Sequence, residues 1–331
     1  MTEIIRAEPY KTLLKGVEDE RKIIYLTMGG SRAYGTNIPT SDTDIRGIAL
    51  KTERELFGTA NFEQFLDTET DTTIYAVDKF FKLALNCNPN IIELLGTRDD
   101  QKFLVSKEMK LILDNKDIFL SQRAIGSFGG YATAQLRRLE NYLGRVNSQS
   151  EKEKHIFNTV TNMRHHLQEH YTSYNDSNFK TYIGKTDREE FETEIFVDIN
   201  MKGYPLRDFS SIQSEMNQAI KNYSKIGKRN KKKESTGLDK HAMHLIRLYM
   251  MLLDILESGE VNTYREKEHG LLMDIRNGAY SVDNYAPLYV LLAEYEKKVS
   301  YAKIHTNLPD KPDYKKAEEL LIGINKNSLR G

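Results

Sequence analysis

Two aspartates one residue apart, Asp42 and Asp44, follow a glycine-serine turn, Gly29-Gly30-Ser31, after a gap of ten residues. A glycine turn between a strand and a helix leaves several backbone N–H groups free, and these attract phosphate oxygens. Glycines at 29 and 30 let a phosphate approach without a Cβ in the way, and Ser31 adds a hydroxyl donor. The turn lacks the lysine of a P-loop and is not a dinucleotide fingerprint. On a strand, residues i and i+2 share a face, so Asp42 and Asp44 are expected to converge. Two such carboxylates repel unless a cation lies between them. An oxygen-only donor set suits Mg²⁺ or Mn²⁺. Two-metal phosphoryl chemistry calls for a third carboxylate from a neighbouring strand. Asp71 is the candidate, with Asp67 and Glu69 as rivals within the uncertainty of strand register. Taken singly, each feature reads as a plain turn or a helix cap. The joint arrangement points to chemistry on a nucleoside triphosphate.

The elements that must position these residues can be read around them. Lys22 to Met28 is β-like, with Ile23, Ile24, Tyr25 and Leu26 forming a buried apolar run. Ser31 to Tyr34 opens a short helix stopped by Gly35. Asp44 to Leu50 reads as a second strand and residues 70–77 as a third. Val77 to Leu85 is expected to be helical, and Ile91 to Leu95 to start another short apolar helix after a break around Pro89. Beyond about residue 105 helical patterns dominate: 118–145, 151–172, 208–225 and Asp239 to Glu257. The stretch 172–190 is polar and is expected to be a loop, and 227–237 a basic loop. The expected fold is α+β: a mixed sheet with helices over residues 1–115, then a mainly helical domain over 116–331.

The bulk composition bounds the function. The chain has 331 residues, with 39% hydrophobic and 29% charged residues, and Lys plus Arg balance Asp plus Glu at 48 each. A globular protein with room for two domains is expected. The charge balance removes any whole-chain electrostatic case for nucleic-acid binding. The single cysteine, Cys87, excludes an internal disulfide framework and a cysteine-based zinc site. No apolar run approaches the length of a bilayer span, and Met1 to Tyr10 lacks a signal-peptide core. A cytoplasmic protein with no membrane partner is expected.

The stretches Met28-Gly29-Gly30-Ser31 and Asp42-Thr43-Asp44-Ile45 resemble the signature of the DNA polymerase β-like nucleotidyltransferase superfamily, with polar Thr43 where an apolar residue is commoner. Gly30 to Gly35 and Ser41 to Ile48 are similar to a bacterial and phage branch of it associated with RNA repair. So are Asp71 to Pro89, Tyr131 to Leu139, Lys240 to Arg247, Leu256 to Glu260 and Ile275 to Gly278. Residues 145–235 carry no such resemblance. The resemblance implies a polymerase β-like palm sheet with a metal site at its edge, and a helical partner domain closing over the nucleotide. It implies transfer of a nucleoside monophosphate from a triphosphate, ATP included, with pyrophosphate leaving. Asp42 and Asp44 would then ligate both metals, Asp71 the metal that activates the acceptor oxygen, and Gly30 and Ser31 would hold the β- and γ-phosphates.

Further along, Lys240, His244 and Arg247 are spaced i, i+4, i+7 and lie on one helix face. Such a face is either solvated or a cationic wall over the triphosphate or the acceptor. With the resemblance, the wall is the expectation. Arg46 shares the parity of the aspartates and is expected to reach the nucleotide or to offset the carboxylates. Arg32, next to Ser31, is expected at a phosphate or only packed there, and Arg276 at the far side of the pocket. His165, His166 and His170 have no obvious third partner for zinc. Lys228 to Lys233 reads as a solvated loop or a guide for a polynucleotide. Tyr34 and Tyr75 are weak candidates for base stacking. Met250 and Met251 belong to the core. The acceptor is left open among an RNA 3′ end, a protein side chain and a small molecule. The alternative reading is a non-catalytic nucleotide-binding or partner-neutralising module.

Overall fold

The structure is a computed structural model. It describes residues 2–146, 179–185, 193–199 and 236–329, with isolated positions between 203 and 217. The chain divides into two compact units, one of residues 1–135 with 239–331 and the other of residues 136–238. The helical C-terminal stretch therefore belongs to the same unit as the N-terminal sheet.

The first unit opens with helices α1 (Thr2–Arg6) and α2 (Tyr10–Glu18), followed by strand β1 (Ile23–Met28). All six β1 residues are buried, as expected of a run of this apolarity in the middle of a sheet covered on both faces. Next come α3 (Gly30–Tyr34), β2 (Ile45–Ala49), α4 (Glu53–Phe57), β3 (Gln64–Asp67) and β4 (Thr72–Ala76). Then follow α5 (Val77–Leu85), α6 (Pro89–Leu95), β5 (Lys102–Val105), α7 (Lys107–Asp114) and α8 (Arg123–Val146). The sheet order is β3-β4-β2-β1-β5. The β2/β4 pair is parallel, with Arg46 opposite Thr73, and the other three pairs are antiparallel. This mixed sheet with flanking helices is the expected α+β class.

One face of the sheet packs Ile23, Leu26, Ile45, Ala49, Ile74 and Ala76 against Leu14 and Val17 of α2. Elsewhere in the unit, Phe80 and Phe81 of α5 meet Phe119 edge-to-face. The break expected at Pro89 is the start of α6. Proline takes the first helical position, and the Asn88 side chain accepts from Asn90 N at 3.1 Å.

Strands β6 (Phe179–Lys185) and β7 (Thr193–Ile199) form an antiparallel pair in the second unit. Part of the stretch expected to be a loop, 172–190, is therefore a strand. The expected helix at 151–172 lies outside the described residues, as do His165, His166, His170 and the basic run Lys228 to Lys233, and only scattered positions of 208–225 are described. The first unit ends with α9 (Thr236–Ser258), α10 (His269–Arg276), α11 (Val282–His305) and α12 (Tyr314–Ser328). No described helix is long and apolar enough to cross a membrane.

Candidate active site

The site gathers where β1 ends and β2 and β4 begin. Gly29 leaves β1 in extended conformation, and its N–H donates to the Asp44 carbonyl at 2.8 Å. Gly30 then takes φ +55°, a left-handed value, as the first residue of α3. A Cβ on Gly30 would fall 1.6 Å from Asp44 Oδ2, and one on Gly29 would fall 2.8 Å from Arg46 Cγ. The glycines are needed because the Asp44 and Arg46 side chains fold back over the turn. Ser31 is buried next to them.

Asp44 and Asp71 meet. Their carboxyl groups lie close enough for a hydrogen bond between them to count among the causes that move both pKa values. Burial, with the bond to Asp71 next in size, raises the Asp44 pKa well above the usual carboxylate range. The same bond, together with Arg46, lowers that of Asp71. Lys240 also favours the ionised form of both groups. Asp71 lies just before β4 rather than in it, with φ +47°. Arg46 braces it there: Nη2 donates to Asp71 Oδ1 at 3.1 Å and Nη1 to the Asp71 carbonyl. Among the rivals, Asp67 ends β3 and its Oδ2 accepts from Thr70 N and Thr70 Oγ1, so it serves the turn.

Asp42 departs from expectation. Residues 41–44 are irregular and β2 starts only at Ile45, so the two-residue strand periodicity does not apply to Asp42 and Asp44. Asp42 is exposed. Among the described residues, no group of three or more His, Cys, Asp or Glu side chains is placed to hold a metal ion. The carboxylates that come together are a pair. The segment carrying Asp42 is tethered from three sides. Arg32 donates to the Ser41 and Asp42 carbonyls at 3.1 and 3.2 Å, Tyr10 Oη donates to Thr43 O at 3.0 Å, and Arg276 Nη2 donates to Ser41 Oγ at 3.3 Å. In this structure Arg32 is thus engaged with backbone carbonyls.

On α9, Lys240 is exposed while Arg247 is buried. Arg247 Nη1 donates to Glu93 Oε2 at 3.2 Å and its guanidinium lies 3.6 Å from the centre of the Tyr34 ring. Tyr34 Oη donates to the same Glu93 oxygen at 2.7 Å. The charge of Arg247 is thus met inside the protein. His244 packs edge-on to Tyr34. Burial, reinforced by the cations Arg247, Lys240, His241 and Arg276, lowers its pKa well below the usual value. His244 is therefore neutral at neutral pH and adds no positive charge to the wall expected on this helix. Of the three residues, Lys240 carries an open charge towards the aspartates.

Glu93 was missed in the sequence, although a lone acid inside Ile-Ile-Glu-Leu-Leu is a buried charge in an apolar run and needs a partner. Tyr34, weakly considered for base stacking, is buried in the same network. Tyr75 is half-buried beside the site, where its phenol is held above its ordinary pKa by burial.

Residues 5–160 match RlaP, the RNA repair pathway DNA polymerase beta family. The match places residues 5–160 with the polymerase β-like nucleotidyltransferases. The matched stretch holds Gly29 to Ser31, Asp42, Asp44, Arg46, Asp71 and Glu93. The chain is also 22% identical over 296 residues to an uncharacterised 38.9 kDa protein from the nrdC–mobD intergenic region of Enterobacteria phage T4, covering 78% of this chain and 84% of the phage protein. No solved structure matches the chain.

Proposed function

We propose that the chain is a nucleotidyltransferase that moves a nucleoside monophosphate from a nucleoside triphosphate to an acceptor hydroxyl, with release of pyrophosphate. The observation that carries the reading is Asp44, folded over the Gly29-Gly30 turn and facing Asp71. A phosphate held by the turn lies beside two carboxylates, the juxtaposition that phosphoryl transfer needs.

The pair fits a hard divalent cation such as Mg²⁺ or Mn²⁺. Its donors are all oxygen, and the Asp44 pKa, raised first by burial and then by the neighbouring Asp71 carboxyl, marks a carboxylate that a cation would favour in its ionised form. Asp44 and Asp71 would hold the metal, and Asp42, one residue from Asp44 on a tethered loop, would complete the set. The bound cation would lower the pKa of the acceptor hydroxyl and offset charge on the leaving pyrophosphate. The chain's own residues do the rest. Gly29, Gly30 and Ser31 cradle the β- and γ-phosphates. Arg46 holds Asp71 in its left-handed conformation. Lys240 supplies positive charge beside the carboxylates. Arg247 and His244 support α3 through Tyr34 rather than reaching the phosphates.

The family's association with RNA repair makes an RNA 3′ end the favoured acceptor. A non-catalytic nucleotide-binding module is the second reading, favoured by the exposed Asp42 outside the carboxylate pair. One assay separates the two. The purified chain is incubated with each α-labelled triphosphate, Mg²⁺ or Mn²⁺, and RNA or protein acceptors. Label transfer that disappears in the D42A/D44A double variant supports the enzyme. Nucleotide binding without transfer across the acceptor panel overturns it.

A further inference from the structure

Arg276 has no carboxylate partner among the described residues. Four arginines among the described residues bury an Nε that lacks a hydrogen-bond partner: Arg21, Arg247, Arg265 and Arg276. Three of them keep a carboxylate. Arg21 pairs with Glu55, Arg247 with Glu93, and Arg265 with Asp254. Arg276 has no such partner. Its Nε and Nη1 are both shut from water and unpaired, and its hydrogen bond is to Ser41 Oγ, at 3.3 Å. Burial alone moves its pKa, downward, and no carboxylate offsets it.

Guanidinium nitrogens shut from water without an anion are destabilising. Proteins keep such groups where a ligand supplies the missing partner. The position of Arg276 indicates which ligand. It ends α10 and touches Ser41, the residue before Asp42. Its charge reaches His244, which also feels Lys240, and Lys240 in turn acts on Asp44 and Asp71. Through Nη2 the Arg276 guanidinium thus reaches the loop that carries Asp42, next to the carboxylate site. Its fork geometry matches phosphate oxygens.

We propose that Arg276 is a clamp for the phosphates of the substrate triphosphate, taking an oxygen in exchange for the Ser41 hydroxyl. The assignment rests on the nucleotidyltransferase reading and adds a binding residue to it. The Ser41 contact lies beyond the usual N–H···O range of about 2.7–3.2 Å, so the exchange gives up a weak bond for charge-assisted ones. Ser41 Oγ keeps its other partner, the Ile38 N–H at 2.9 Å, so the loop is not released.

The test uses the full chain with inorganic tripolyphosphate and with ATP, read by calorimetry and thermal melting. Arg276→Gln is expected to weaken both ligands about 10–100-fold, the scale of losing one or two charge-assisted bonds. Its ligand-free melting temperature should match or exceed that of the wild type. Arg276→Lys should fall between the two, and Ser41→Ala should keep wild-type affinity. Undiminished binding by R276Q overturns the clamp and leaves the nucleotidyltransferase reading intact. Equal losses in R276Q and S41A also overturn it, since Arg276 would then act only by positioning the loop. If R276Q does not fold, R276K decides: weaker binding at an unchanged melting temperature supports the clamp, and unchanged binding overturns it. A wild-type chain that binds neither ligand overturns the clamp and the reading together.

Discussion

The Asp44 carboxylate rests on the α-carbon of Gly30, so close that a Cβ on the glycine would fall 1.6 Å from Asp44 Oδ2. Gly30 also needs its left-handed φ of +55° to turn the chain from β1 into α3. Glycine turn and carboxylate are therefore one packed unit, and neither can be changed alone. In Gly30→Ala, the left-handed conformation costs about 1–2 kcal/mol and Asp44 is displaced as well. The expected outcome is a modest drop in urea stability with near-complete loss of nucleotidyl transfer. Retained transfer in G30A would separate Asp44 from the chemistry.

Arg46 gives the second prediction. It holds Asp71 by both the carboxylate and the backbone carbonyl, a two-point grip that needs the guanidinium fork. Arg46→Lys keeps the charge and loses the fork. Transfer should fall roughly 10–100-fold, the usual effect of removing a group that orients a metal ligand. The Mg²⁺ concentration giving half-maximal rate should rise, while triphosphate affinity without divalent cation stays unchanged. A fall in that affinity instead would make Arg46 a direct phosphate contact.

The centre of the fold was legible because its signals are local and redundant. β1 is a continuous apolar run, and α5 spans Val77–Leu85, as its apolar spacing predicts. The edge strands β3 and β5 were not legible. Each has four residues, and β3 is only half-buried, so neither carries an apolar run long enough to stand out. In the site, the pairing of Asp44 with Asp71 follows from strand order. The exposure of Asp42 does not, because it depends on β2 starting at Ile45. Arg247 illustrates the other limit. Helical spacing puts it on the same face as Lys240, but only the tertiary partner Glu93, 154 positions away in the chain, decides that its charge is buried.

That buried pair can be tested by unpairing it. Arg247→Met leaves the enclosed Glu93 carboxyl without its cation, with Tyr34 Oη as its remaining side-chain donor among the described residues. A broken buried ion pair costs about 3–5 kcal/mol, so the urea midpoint of R247M should fall sharply. The double variant E93Q/R247M should recover most of the loss, since the stranded carboxyl is gone. If R247M is as stable as the wild type and only nucleotide affinity drops, the arginine serves the ligand rather than the fold.

Acid stability is set in part away from the site, by Glu108 and Lys22. Burial raises the Glu108 pKa, but the Ser106 hydroxyl and the Lys22 ammonium, 2.9 Å away, outweigh it and bring the value down to about 2. An ordinary glutamate titrates near 4.5. A carboxylate whose folded pKa is depressed stabilises the fold fully above its unfolded value and loses that contribution as pH falls through the folded one. The contribution is therefore complete above about pH 4.5 and disappears between there and about pH 2. Glu108→Gln should lower the melting temperature at pH 7 and flatten its fall across that acid window. Lys22→Met should do the same in part, because the Ser106 hydroxyl still favours the ionised carboxylate. Identical acid melting profiles for E108Q and the wild type would place the proton uptake that drives acid unfolding on other carboxylates.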